Sequence, residues 1–135
     1  MNNPMPKYFF ISVMLIMILA GLSAKAAEKS CKRHPKVMGE CFIVHGRLSR
    51  FNGTPSVRLW KVGTNRILGV SEGRFYLDGY RNLPESLEKM LSWETELFGN
   101  FLVCPFTHEK PGEMRLICIE SASDLVKKKR DVAHY

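Results

Sequence analysis

The sequence has few features that indicate a reaction. No two of its four cysteines have Cys-x-x-Cys spacing, which excludes a thioredoxin-like redox motif. No glycine-rich segment has the spacing of a phosphate-binding loop, so a nucleotide-dependent enzyme of that kind is excluded. There is no internal repeat and no low-complexity segment, and this excludes solenoid and fibrous architectures. The features that are present describe the kind of protein more than its activity.

The first 26 residues predict export. Lys7 precedes a largely apolar run over residues 8–20, and Ala24-Lys-Ala26 has the small-x-small pattern that signal peptidases cut. We therefore expect a signal peptide over residues 1–26 and export to a periplasm or to the extracellular space. The alternative is an uncleaved membrane anchor, because residues 8–24 form an apolar stretch at the lower end of the range that spans a bilayer.

The remaining chain predicts one small domain with basic ends. Residues 27–135 suit a single domain and are too few for two. The formal net charge is +7, but residues 37–126 carry ten Lys and Arg against eleven Asp and Glu. We expect a basic N-terminal arm over 27–40, a β-domain over 41–120 and a basic, solvated tail over 121–135. The cations of the tail are Lys127, Lys128, Lys129 and Arg130.

Short β-forming segments separated by turns predict the fold. They are rich in Val, Ile, Phe and Leu and are bounded by Gly, Pro and Asn. One helix is predicted at Pro84–Leu91, where Asn82 can cap and apolar residues recur at helical spacing. We expect an all-β protein, an antiparallel β-sandwich of about seven short strands with one short helix. The predicted strands are Cys41–Ser49, Ser56–Val62, Arg66–Val70, Arg74–Asp78, Trp93–Leu97, Phe101–Phe106 and Met114–Ile119.

Two parts of the chain carry a resemblance to a known family. The first is Val44-His-Gly-Arg-Leu48, followed by the turn Asn52-Gly-Thr-Pro55 and by Val57-Arg-Leu-Trp60. The second is Gly73-Arg-Phe-Tyr-Leu-Asp-Gly79. They resemble the opening hairpin and the Gly-x-Phe-x-Leu-x-Gly element of transthyretin-like and carboxypeptidase-regulatory-like domains. This resemblance implies a prealbumin-like β-sandwich with a binding or structural function.

The catalytic branch of that superfamily differs from this chain at the C-terminus. Hydroxyisourate hydrolases carry a C-terminal Tyr-Arg-Gly-Ser signature, whereas this chain ends Asp131-Val-Ala-His-Tyr135. The resemblance therefore implies a binding module rather than a hydrolase.

In an oxidising compartment, the four cysteines predict two disulfides. If the last two predicted strands form a hairpin around Pro111, Cys104 and Cys118 lie opposite one another. We therefore expect a Cys104–Cys118 bond, and a Cys31–Cys41 bond that fixes the arm. The alternative is a bond from Cys41 to Cys104 or Cys118 across the sandwich.

The same residues allow a metal site as a competing interpretation. Cys31-x-x-His34 and Cys104-x-x-x-His108 have ligand-like spacing, and zinc takes Cys and His ligands. Because disulfides account better for cysteines in an exported chain, we expect no metal and no cofactor.

Three residues are candidates for a binding or acid–base site. His45 and Arg47 share one face of the first predicted strand, and His108 lies between the last two predicted strands. A second group of aromatic side chains would line either the core or a ligand patch, and it comprises Trp60, Phe75, Tyr76 and Tyr80.

These observations favour a non-catalytic binding or interaction module. Its partner would be a protein or a small ligand, without nucleic acid. One alternative is a small secreted, hydrolase-like enzyme that uses His45 or His108. The other is a cationic protein that binds an anionic envelope surface or a polyanion through residues 127–130. An exposed edge strand would permit oligomerisation.

Overall fold

Five strands and one helix form the framework of the described chain. The computed structural model describes residues 27–131, so the predicted signal peptide lies outside the described residues. The predicted helix is confirmed as α1, and the protein is mostly β with one short helix. The elements are β1 (Phe42–Arg50), β2 (Val57–Lys61), β3 (Ile67–Val70), α1 (Glu85–Met90), β4 (Thr95–Pro105) and β5 (Arg115–Lys129).

The strands form one closed barrel in the order β1-β2-β3-β5-β4. β3 and β5 pair in parallel, and the other neighbours pair antiparallel. With α1 between β3 and β4, this arrangement has the topology of an OB fold, a five-stranded Greek-key barrel. A single closed sheet therefore replaces the expected sandwich of about seven strands.

Side chains alternate along the strands, so each strand contributes to the barrel core. In β1, Val44 and Leu48 are buried, whereas the neighbours of Val44 on either side, Ile43 and His45, are exposed. Helix α1 adds Leu87 to this core. The buried core residues are Val44, Leu48, Val57, Leu59, Leu68, Val70, Leu87, Leu91, Leu97, Phe101, Val103, Ile117 and Ile119.

Two predicted strand boundaries differ from the structure for physical reasons. At Gly99-Asn100 the sequence predicts a turn or a bulge; β4 continues through Gly99, and its register with β5 shifts between Phe98 and Asn100, which agrees with the bulge. A Cβ atom at Gly99 would lie 2.8 Å from the carbonyl oxygen of Ser123, so glycine allows β5 to approach closely. The predicted strand at Arg74–Asp78 is instead a 3-10 turn at Gly73–Phe75 followed by a loop.

β5 continues well beyond the predicted end of the domain. Lys127–Lys129 pair with Thr95–Leu97 of β4, so the β-domain extends past its predicted end at residue 120, although the side chains of Lys127–Lys129 are exposed. Two register shifts along β4 and β5 interrupt the two-residue alternation. The second half of β5 therefore lacks the pattern by which a strand is recognised in a sequence.

The N-terminal arm packs over the outer side of β4 and β5 and forms a second apolar cluster. The disulfides of the structure are Cys31–Cys118 and Cys41–Cys104, so the predicted pairing is wrong and one alternative, Cys41 with Cys104, is confirmed. Cys104 and Cys118 do lie opposite one another in the register, as expected, but Cys118 bonds to Cys31 of the arm and Cys104 bonds to Cys41, directly after the arm. The buried residues of this cluster are Cys31, Cys104, Phe106 and Cys118.

Truncation after Val126 should destabilise the barrel. It removes the three residues that pair with Thr95–Leu97, and also the hydrogen bond from the Arg130 N–H to the Glu94 carbonyl. We expect a Tm lower by about 5 °C in a thermal melt. Truncation after Arg130 is the control and should leave the Tm unchanged. Equal melting of both truncated proteins would show that these strand pairs add no stability.

Non-reducing peptide mapping should recover Cys31–Cys118 and Cys41–Cys104. The double variant Cys31→Ala/Cys118→Ala should lose about 2–5 kcal/mol of unfolding free energy, because this bond joins positions 87 residues apart. Denaturant titration measures the loss. A peptide that links Cys104 to Cys118 would contradict the pairing.

Candidate functional site

The outer face of the barrel carries a row of aromatic, cationic and aliphatic residues on adjacent strands. The register pairs Arg47 of β1 with Trp60 of β2 on one side and with Phe98 of β4 on the other. Phe98 pairs in turn with Val126 of β5. These side chains point away from the core, because their chain neighbours such as Leu48 are buried inside the barrel. The row is therefore continuous across four strands.

The cations of this row lie over its rings. The guanidinium carbon of Arg47 is 4.8 Å from the ring centroid of Trp60. The ammonium nitrogen of Lys128 is 4.8 Å from the ring centroid of Phe98. Both distances lie within the range of cation–π attraction. Stacking restricts these long side chains to the surface of the sheet.

A third ring is shared by two arginines that are 72 positions apart in the sequence, Arg58 and Arg130. Arg58 lies 5.1 Å and Arg130 lies 4.6 Å from the ring centroid of Phe51. Together with the previous pairs, these residues make up a surface that we name the arginine–aromatic face. Its members are Arg47, Phe51, Arg58, Trp60, Phe98, Lys128 and Arg130.

One buried carboxylate lies among these cations. Glu96 has a side chain that is 11% exposed, and it accepts a hydrogen bond of 3.0 Å from the Ser49 hydroxyl. Arg47 Nε and Arg130 Nε each lie 3.7 Å from Glu96 Oε1. Glu96 thus orients two guanidinium groups. Four cations against this carboxylate leave a positive excess, which suits an anionic partner.

The four predicted tail cations are divided by the alternation of β5. Lys128 and Arg130 belong to the arginine–aromatic face, whereas Lys127 and Lys129 alternate with them along the strand. The sequence cluster therefore contributes only two of its charges to this face.

The structure places His45 and Arg47 on the same outer face of β1 and leaves His108 apart from them. His45 Nδ1 lies 2.9 Å from Asn100 Oδ1, and Asn100 donates a 3.0 Å hydrogen bond to Asp124. His108 is exposed in the loop between β4 and β5. Among the described residues no contact joins the two histidines, so they do not form a common acid–base site.

Sequence reasoning missed one motif, Gly69-Val-Ser71-Glu-Gly73, which matches the Gly-x-Ser-x-Gly pattern of a nucleophile elbow. Ser71 directly follows β3 and is buried, and its hydroxyl has no hydrogen-bond partner among the described residues. The chain continues into a 3-10 turn rather than the helix of an elbow. Because no base contacts Ser71 Oγ, this serine lacks the activation that a nucleophile needs.

His34, a zinc candidate by its spacing, is a buried packing residue. Its ring packs edge-on against Tyr80 and Phe106, with centroids 5.1 Å and 4.8 Å away. Nδ1 accepts a hydrogen bond from the Lys36 N–H, so Nε2 carries the proton and donates to the Phe75 carbonyl. Burial lowers the pKa of His34, the Phe75 hydrogen bond opposes this shift, and the charge of Lys36 adds to it.

The sulfur atoms of three cysteines lie close enough together to resemble a metal site. Those of Cys31, Cys104 and Cys118 are within 4.8 Å of one another. All three sulfurs are in disulfide bonds, so none is available as a thiolate ligand. This geometry is that of two adjacent disulfides.

No family model, curated protein or solved structure matches the chain. Within residues 27–131, no helix is long and apolar enough to cross a membrane. The two disulfides indicate a non-cytoplasmic compartment. The function must therefore be inferred from the chemistry of the site.

The free energy of unfolding should fall as the pH drops below 6.5, because the folded pKa of His34 lies below that value. The unfolded chain binds the proton first, so the stability present above pH 6.5 is lost as the pH falls through the folded pKa. Denaturant titrations between about pH 7.5 and about pH 5 measure the slope. The variant His34→Phe should show a shallower slope than wild type, with His108→Gln as the exposed control. Identical slopes for His34→Phe and wild type would contradict this assignment.

Proposed function

We propose that the protein is an exported, non-catalytic binding module that attaches to an anionic lipid surface through the arginine–aromatic face. The supporting observation is that four cations lie over three rings, with one buried carboxylate among them. Stacking uses the flat side of a guanidinium group and leaves N–H donors at its edge for phosphate oxygens.

Exposed apolar side chains next to the cations favour a lipid surface over a free anion. Val126 is 52% exposed, and Ile67, which pairs with Trp60, is 40% exposed. At a bilayer interface, apolar groups enter the headgroup region while Lys and Arg meet the lipid phosphates. A face that carries both apolar side chains and cations therefore fits a bilayer interface better than it fits a small dissolved anion.

A non-catalytic function agrees with the separation of the candidate catalytic residues. His45 contacts Asn100, and no contact among the described residues joins it to His108, which lies in the loop between β4 and β5. Ser71 has no base beside it. The described residues therefore offer binding chemistry more readily than nucleophilic chemistry.

The lipid proposal predicts salt-sensitive binding to anionic vesicles. The protein should bind vesicles of phosphatidylglycerol and phosphatidylcholine at low salt, and should bind pure phosphatidylcholine weakly. The double variant Arg58→Gln/Lys128→Gln should weaken binding about tenfold or more, since each cation at the surface contributes about 1 kcal/mol. Cosedimentation measures the fraction of the protein that is bound to the vesicles.

The control removes the same charge from the arm. Lys32→Gln/Arg33→Gln has the same net charge as the face variant, and both residues are exposed. It should lose clearly less affinity than the face variant. Equal losses would show attraction by net charge alone, and no binding to anionic vesicles at low salt would refute the proposal. If the protein bound single-stranded DNA more tightly than vesicles, the anionic partner of this face would be a nucleic acid instead of a lipid surface.

A further inference from the structure

Beside the arginine–aromatic face, from which Arg130 donates to the Arg50 carbonyl at 2.6 Å, the barrel holds a cavity of about 430 Å³. It lies where the end of β1, the start of β2 and the end of β3 meet the segment that leads into α1. Its apolar lining comes from Val57, Val70 and Leu83. The volume lies within the range of small-molecule sites, and the mouth of a barrel is a frequent place for one.

Two polar atoms of residues in the cavity wall have no partner among the described residues. Asn82 Nδ2 donates to the carbonyl oxygens of Ser71 and Phe75 at 3.0 Å and 3.4 Å. Those two acceptors fix the orientation of the amide, so Asn82 Oδ1 is left as an acceptor without a donor. The Ser71 hydroxyl is likewise unpaired. Unsatisfied buried polar atoms are costly, and a ligand that offers both a donor and an acceptor would satisfy them.

The cavity also carries charges of both signs. Arg81 is held between two carboxylates, Glu28 and Glu88, with the latter at 3.2 Å. The guanidinium of Arg50 has no ion-pair or hydrogen-bond partner in the described part of the chain, although the residue lines the cavity. Glu72 adds a third carboxylate to the wall. The wall therefore offers one unpaired cation together with an excess of carboxylate.

We propose that this cavity binds a zwitterionic ligand of the amino-acid class with an apolar side chain. The ligand carboxylate pairs with Arg50 and accepts from the Ser71 hydroxyl. The ligand ammonium donates to Asn82 Oδ1 and is attracted by the carboxylate excess. The apolar side chain packs on Val57 and its neighbours. This site is separate from lipid attachment, and either proposal can fail alone.

Isothermal titration with three matched probes tests the proposal on the full chain with its disulfides formed. The probes are L-leucine, 4-methylpentanoate, which lacks the amine, and 3-methylbutylamine, which lacks the carboxylate. Leucine should bind saturably, and each analogue should bind about tenfold more weakly or worse, because one charge-assisted contact is lost. If 4-methylpentanoate bound as tightly as leucine, the ammonium group would not be recognised. That result would overturn the proposal of a zwitterionic ligand and would indicate a site for organic anions.

Variants locate the binding. Arg50→Gln and Ser71→Ala should each weaken leucine binding, Arg50→Gln by about tenfold or more. Ser71→Ala should also keep or raise the Tm, since it removes an unpaired buried hydroxyl. Arg58→Gln, on the arginine–aromatic face, is the control and should leave leucine binding unchanged. Unaltered binding in Arg50→Gln would overturn the assignment of the cavity.

A panel of the other protein amino acids completes the test. Apolar members such as L-phenylalanine should bind, and charged side chains should bind more weakly because of the apolar lining. If no amino acid binds at about 1 mM, the proposal is refuted. That result would leave the vesicle experiment unaffected.

Discussion

The closure of the barrel by β5 is the constraint on which the rest of the structure depends. The start of β5, at Arg115–Ile117, runs parallel to β3, and from Ile117 onward the strand runs antiparallel to β4. Without this strand the sheet would be open, with two unpaired edges and exposed inner side chains. The two register shifts bend the strand, which allows one segment of 15 residues to serve both neighbours.

The same strand sets the outer features of the molecule. Its inward residues fill the core, while the outward Cys118 bonds to Cys31 and thereby anchors the arm. Further along, Lys128 lies over Phe98, and just beyond the end of the strand Arg130 lies over Phe51. The arm and the arginine–aromatic face are therefore coupled through the path of one strand, although their residues are distant in sequence.

Local patterns predicted β1, β2, β3 and α1 well, because alternation and turn residues act between near neighbours. The expected cap at Asn82 does not form, since its side chain donates to the carbonyls of Ser71 and Phe75 instead. Closure, the disulfide pairing and the long β5 depend on distant residues. Cys104 and Cys118 do face one another, yet a local hairpin argument cannot show that the arm covers both. Arg47 was a candidate from sequence, but only the register brings it between Trp60 and Phe98. The motif around Ser71 was visible in the sequence, whereas the surroundings that decide its chemistry were not.

The arm connects the disulfides to the cavity. Glu28 contributes to the cavity wall, and the Lys29 N–H donates to the Gly79 carbonyl at 2.7 Å. Two residues further on, Cys31 is bonded to β5. Apart from one 3-10 turn and an isolated bridge, the described part of the arm has no regular structure, so its position depends on these contacts. If the Cys31–Cys118 bond were reduced, only noncovalent contacts would hold the arm segment that carries Glu28 against the cavity. The cavity wall therefore depends on an oxidising compartment, in which this disulfide persists.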